Sequence, residues 1–323
     1  MRLRIVLFAG GALVALLALG IAALWTPDRP LEALKARWAP PPSRFIPMDG
    51  MQVHLRDEGP RDDPTPIVLL HGTGSSLHTW DAWADRLKAH HRVIRFDRPG
   101  FGLTGPNPAN DYSMAYYSAF TARLLDELGV DRAIVAGHSS GGYMAWRYAA
   151  DHPDRVTALV LLAPGGLPRS TPLPPGLRMA MSPAMGPVME RVLPRSEAEK
   201  GLRAAYGDPS RVTPEVVERS YELALRPGNR KALGETLRQG LAGRDGALLS
   251  RVRAPTLIIW GTKDTVIPAE PDAELFHKRV AGSSLVMLPG VGHMPQEEAA
   301  DAAMDALETF LRAHQPSLAD AER

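Results

Sequence analysis

The stretch AIVAGHSSGGYMAW, Ala133 to Trp146, decides how this chain is read. An apolar run, Ala133–Ala136, meets a helix-like stretch, Gly142–His152, across two adjacent serines set among glycines. Centred on Ser139 the pattern is Gly137-His138-Ser139-Ser140-Gly141, or G-x-S-x-G. Centred on Ser140 it fails, because His138 stands where a glycine is needed. The spacing has a steric reason. A nucleophile raised on a sharp strand-to-helix turn leaves no room for a side chain two residues to either side. Ser139 is therefore the candidate nucleophile, and Ser140 offers its backbone N–H rather than its hydroxyl.

A serine hydroxyl is a weak nucleophile and needs a base held by an acid. His293, in LPGVGHMPQEE, and Asp264, in LIIWGTKDTVIP, each follow an expected strand. Taken singly, a loop histidine is ordinarily just solvated, and an aspartate before a proline-containing turn is ordinarily a turn former. The order Ser139, Asp264, His293, each after a strand, points instead to one crevice at the carboxyl ends of a parallel sheet. A developing oxyanion also needs donors. VLLHGTGSSLHTW places His71-Gly72-Thr73-Gly74 after the third strand, where backbone N–H groups can join that of Ser140. A phosphate cradle is the rival reading of this glycine loop. Neither the G-x-G-x-x-G spacing nor a P-loop lysine is present.

The apolar runs set the fold class. Expected strands are Arg44–Met48, Gln52–Arg56, Ile67–Leu70, Val93–Phe96, Ala133–Ala136, Ala158–Leu162, Thr256–Trp260 and Ser284–Leu288. Several carry Val, Ile and Leu at consecutive positions, which suits strands buried on both faces. Helix-like stretches alternate with them at Thr79–His90, Met114–Leu128, Gly142–His152, Glu270–Val280 and Gln296–Ala313. This alternation predicts an α/β fold, a mostly parallel eight-stranded sheet with helices on both sides. The core is expected over 44–166 and 254–314, with a tail at 315–323. Between them, 167–253 shows no convincing strand and reads as a helical lid, or else as helices that only cover a sheet edge. Thr213 with Pro214 starts a helix there, and Pro183 and Pro187 break the Met-rich part into short pieces. Met181 and Met185 are expected to line the substrate site, because methionine suits adaptable apolar surfaces.

Composition narrows the function. A net charge of +1 with no basic stripe argues against nucleic-acid partners. The absence of cysteine removes thiolate nucleophiles, disulfides and thiolate metal sites. After Arg2 and Arg4, residues 5–25 carry no charge, enough for a helix of about 30 Å, one hydrocarbon core. This predicts a transmembrane anchor with the rest of the chain on the extracytoplasmic, periplasmic side; the alternative is a cleaved signal and secretion. Residues 26–43, charged and proline-rich, read as a stalk with room for one short helix.

The motifs HGTG, FDRPGFGLTG, GHSSGG, WGTKDTVIP and GVGHMPQEE occur in the order seen in the α/β-hydrolase superfamily, which the chain resembles from about Phe45 to Ala313. The resemblance implies Ser139 as nucleophile, Asp264 as acid, His293 as base and the Thr73 and Ser140 N–H groups as the oxyanion hole. It also implies that FDRPGFGLTG helps line the pocket mouth. Serine at 139 departs from relatives that use aspartate there to open epoxides or remove halides. The expected activity is hydrolysis of an apolar carboxylic ester through an acyl-enzyme, with no metal or organic cofactor. Carbon–carbon, lactone or amide hydrolysis and cofactor-free perhydrolysis share the same triad, and a catalytically silent binding protein shares the same fold. The motifs do not fix the oligomeric state.

Overall fold

The computed structural model describes residues 24–168, 171–240 and 245–314. Helix α1 spans Leu31–Trp38, and strands β1 (Arg44–Met48) and β2 (Met51–Glu58) form a hairpin. Then follow β3 (Ile67–Leu70), α2 (Asp81–Leu87), β4 (Val93–Phe96), α3 (Met114–Glu127), β5 (Ala133–His138), α4 (Ser140–Asp151) and β6 (Val156–Leu162). After the lid come β7 (Thr256–Gly261), α10 (Ala269–Arg279), β8 (Ser284–Leu288), α11 (Pro295–Glu298) and α12 (Ala300–His314), with α5 to α9 inside the lid. The sheet has eight strands in the order β1-β2-β4-β3-β5-β6-β7-β8. Pairings β1/β2 and β2/β4 are antiparallel and all others are parallel.

The central strands are buried along their whole length because helices cover both faces. Their side chains alternate between two cores. Val68, Leu70, Val135, Leu159, Leu161, Ile258 and Trp260 face a core shared with Phe120, Leu124, Trp146 and Phe276. Ile67, Leu69, Ile134, Val160, Leu257 and Ile259 face the other, with Trp80, Trp83, Leu307 and Phe310. The period of two is thus hidden in the hydropathy and visible only in which core each residue enters.

The segment between β6 and β7 carries helices α5 (Pro175–Met181), α6 (Gly186–Met189), α7 (Arg195–Ala204), α8 (Pro214–Ala224) and α9 (Asn229–Gly240). Helix α8 starts as its sequence requires, with the Thr213 hydroxyl accepting from Val216 N and Pro214 in the first turn. Helix α5 stops at Met181, and Ser182 is extended ahead of Pro183.

Two N-terminal expectations need comment. The apolar run 5–25 lies outside the described residues except for Leu24 and Trp25, and no helix among the described residues is long and apolar enough to cross a membrane. The segment read as a stalk is not a free linker. Its short helix α1 buries Leu34 and Trp38 against Leu103 and Leu223. Trp38 Nε1 donates to Glu222 of α8 at 2.8 Å, Arg37 pairs with the same carboxylate at 2.9 Å, and His78 Nε2 donates to the Trp38 carbonyl at 2.7 Å. Helix α1 therefore clasps α8 and the core together. Trp38→Ala should cost about 3–5 kcal/mol, a large share of a typical domain's stability. A chain starting at Arg29 should unfold cooperatively in denaturant, and one starting at Arg44 should be far less stable. Equal midpoints for the two chains would contradict this role of α1.

Candidate active site

Strand β5 runs into α4 through a turn whose one strained residue is Ser139, at φ 55° and ψ −120°. A side chain at Gly137 would overlap the backbone of Gly141, and one at Gly141 would overlap the backbone at Leu70. Both glycines are therefore required by close approach. The turn is held by Ser139 N donating to Leu162 O, while Ser139 O accepts from Tyr143 N and Gly165 N. Ser139 ends up half-buried on a cavity, at the N-terminus of a helix whose dipole favours negative charge.

Asp264 and His293 meet each other. Asp264 follows β7 and is closed into its turn by Val266 N and Ile267 N, which donate to its Oδ1 at 2.8 and 2.9 Å. Its Oδ2 faces His293 Nδ1 at 2.7 Å, with both side chains buried. The loop after β8 carries His293 and is braced from three sides. His293 N donates to Ala205 O at the end of α7, and His138 Nε2 donates to His293 O at 2.6 Å. Glu298 accepts from Gly292 N as well as from Gly207 N and Asp208 N of the lid. The His138 and His293 rings lie 4.8 Å apart. With Nδ1–H directed at Asp264, Nε2 is the nitrogen left to exchange a proton.

The third wall carries the donors. Thr73 and Ser140 both line the cavity, and neither backbone N–H has an acceptor among the described residues. Their hydroxyls are 2.8 Å apart. Of the expected residues, Ser139, Thr73 and Ser140 share the cavity, and Asp264 is joined to His293, on loops after β3, β5, β7 and β8. Met181 and Met185 are not brought there. The lid residues on the cavity are Leu167, Leu173, Leu177 and Leu237, joined by Val266 and Ile267 from the Asp264 loop. Only the first turn of α5 reaches the site. Met181 ends that helix with its carbonyl taken by Arg238, and Met185 lies beyond the turn and is exposed.

FDRPGFGLTG does not line the cavity either. It is a buried brace. Asp97 Oδ1 accepts from Leu77 N, and its Oδ2 accepts from His54 Nδ1 and Leu103 N, all at 2.7 Å. Burial alone would raise this carboxyl, but the charge and hydrogen bond of His54 hold it well below the usual carboxylate range. Arg98 lies next to it, buried, with Nη2 donating to Ser140 Oγ at 2.7 Å. Composition gave no sign of these roles for Arg98 and His138. The only available signal was their position beside the glycine turns.

Burial lowers His71 and His78 to about 4 and lowers His138 well below its ordinary value. The unfolded chain takes up these protons near pH 6.5, whereas the folded chain resists them. Their neutral forms thus contribute stability above about pH 6.5, and it is lost as pH falls from there toward 4. Each proton adds a slope of about 1.4 kcal/mol per pH unit. The melting temperature should drop steeply between pH 6.5 and 5. A flat profile over that window would contradict the buried neutral assignment.

The comparisons agree with this architecture. The sequence matches the family described as alpha/beta hydrolase fold over residues 65–300. A 2-hydroxy-6-oxononadienedioate/2-hydroxy-6-oxononatrienedioate hydrolase from a Pseudomonas species is 32% identical over 244 residues, 69% of this chain and 82% of the relative. An uncharacterized Mycobacterium tuberculosis protein is 30% identical over 293 residues, 86% of this chain and 84% of the relative. The crystal structure of a hydrolase from Pseudomonas aeruginosa superposes with a TM-score of 0.70 at 29% identity, covering 84% of this chain and 98% of that one. Sheet order, nucleophile turn and sequence match lead to one assignment: the chain belongs to the α/β-hydrolase fold family.

Proposed function

We propose that this protein is a serine hydrolase that cleaves an apolar carboxylic ester through an acyl-enzyme on Ser139. The observation that carries the acyl preference is the cavity wall: Leu167, Leu173, Leu177, Leu237, Val266 and Ile267, with Tyr143, and no Lys, Arg or His among the described residues. In this reading Ser139 Oγ attacks the ester carbonyl while His293 Nε2 takes its proton. The carbonyl oxygen gains the negative charge and faces the Thr73 and Ser140 N–H groups. Collapse breaks the ester bond, and His293 returns the proton to the leaving alcohol. Water, deprotonated by His293, then attacks the acyl carbon and releases the acid and Ser139. Asp264 keeps Nδ1 protonated and stabilises the imidazolium at both stages.

A second reading, carbon–carbon bond hydrolysis, draws on the 32% identical relative, whose name describes a hydrolase of an unsaturated hydroxy-oxo dioate. The same triad serves such chemistry, but a dianionic substrate calls for cations at the cavity wall. The apolar lining favours the neutral ester. The cavity holds about 60 Å³, with Leu173 and Leu177 on its wall.

A screen of p-nitrophenyl esters of graded length against a hydroxy-oxo-dienoate substrate separates the two readings. Turnover of neutral esters should dominate. Ser139→Ala and His293→Ala should each lower it by about 10⁴-fold or more. Leu173→Ala and Leu177→Ala should shift preference toward longer chains, and Met185→Ala should not. A faster reaction on the dienoate, or a chain-length preference indifferent to both leucines, would sink the ester assignment.

A further inference from the structure

One buried cation has no counter-ion. Arg98 is 1% exposed, yet no carboxylate lies within ion-pairing distance of it among the described residues. Its Nε and Nη1 have no hydrogen-bond acceptor. The guanidinium lies 4.4 Å from the Phe101 ring centroid and 5.2 Å from that of Tyr117. Its polar contacts are Ser140 Oγ at 2.7 Å and Thr73 Oγ1 at 3.4 Å, both from Nη2. Burying an unpaired charge is unfavourable, and an apolar side chain would fill this space at less cost to the fold. Its contacts lead to the two residues whose N–H groups face the reacting carbonyl.

Proton accounting gives the consequence. Arg98 can only donate. Ser140 Oγ and Thr73 Oγ1 are 2.8 Å apart, so one hydroxyl hydrogen lies between them. Neither hydroxyl has a further acceptor among the described residues. If Ser140 donates to Thr73, the Thr73 hydrogen is free; if Thr73 donates, the Ser140 hydrogen is free. Both residues line the cavity, so in either arrangement one O–H is left to donate into it. A donor at the end of a chain that starts on a cation is strengthened by polarisation.

We propose that Arg98 is a positioning residue that orders the Thr73 and Ser140 hydroxyls and turns one O–H toward the carbonyl oxygen, adding a polarised third donor to the two N–H groups. This rests on the ester-hydrolase reading and adds the residue that sets the strength of its oxyanion site. The guanidinium charge acts in the same direction, because no carboxylate forms an ion pair with it among the described residues.

The test uses the full chain with Arg98→Met, Arg98→Lys and Ser140→Ala, and the double variant Arg98→Met/Ser140→Ala. Readouts are kcat and KM on p-nitrophenyl butyrate and the affinity for an alkylboronic acid, whose adduct with Ser139 is tetrahedral and carries the oxyanion. Arg98→Met should lower kcat by about 100-fold, the scale of one lost oxyanion donor, with KM within about threefold. Boronic acid affinity should fall by a similar factor, and Arg98→Lys should recover part of both losses. The double variant should be little worse than Arg98→Met, because the two residues act in series. A folded Arg98→Met with unchanged kcat and boronic acid affinity would overturn the proposal, as would a loss confined to KM. Should Arg98→Met not fold, Ser140→Ala and Thr73→Val decide: unchanged boronic acid affinity in both overturns it. Failure of the ester reading looks different. It appears as wild-type protein that binds the boronic acid and takes a fluorophosphonate label yet hydrolyses no ester.

Discussion

The close approach of three backbones at Gly137, Gly141 and Leu70 is the constraint on which the site depends. With no Cβ in the way, α4 begins directly against β5 and the end of β3. That contact sets the left-handed conformation of Ser139 and raises its side chain onto the cavity. It also brings Ser140 to hydrogen-bond distance of Thr73. A methyl group at either glycine would separate nucleophile from donors before any catalytic atom was altered.

Around this turn the molecule invests in rigidity where chemistry needs it. The His293 loop is tied to the lid through Ala205 and Glu298, and Thr265 Oγ1 donates to Ala204 O beside it. The helical segment between β6 and β7 thus meets the site in two places. Ala205, just after α7, holds the His293 loop, whereas Leu173, ahead of α5, and Leu177, in its first turn, line the cavity. Helix α1 adds a strap across α8, so the N-terminal segment stabilises the lid as well as joining whatever precedes it.

Most of the sheet was legible in the sequence because strands buried on both faces show as uninterrupted apolar runs. All eight expected strands are present, with ends extended by one to three residues at β2, β5, β6 and β7. The placement of Ser139, Asp264 and His293 was legible because each sits after a strand, and that order carries meaning. The cavity wall was not. Met181 and Leu177 lie on the same side of one short helix, and composition does not say which turn reaches the site. The burial of Arg98 was hidden because an arginine among glycines reads as surface; burial of a charge is decided by tertiary packing. Helix α1 did leave a trace. Leu34 and Trp38, four apart, form one apolar face, but the surrounding prolines and charges masked it.

The central claim is that Ser139, activated by His293 and Asp264, is the nucleophile. Fluorophosphonate labelling followed by peptide mass mapping tests it without any assumption about substrate. The account predicts one label per chain, on Ser139, formed much more slowly in Asp264→Asn and His293→Ala. A label on Ser140, or a labelling rate unchanged by both substitutions, would contradict it.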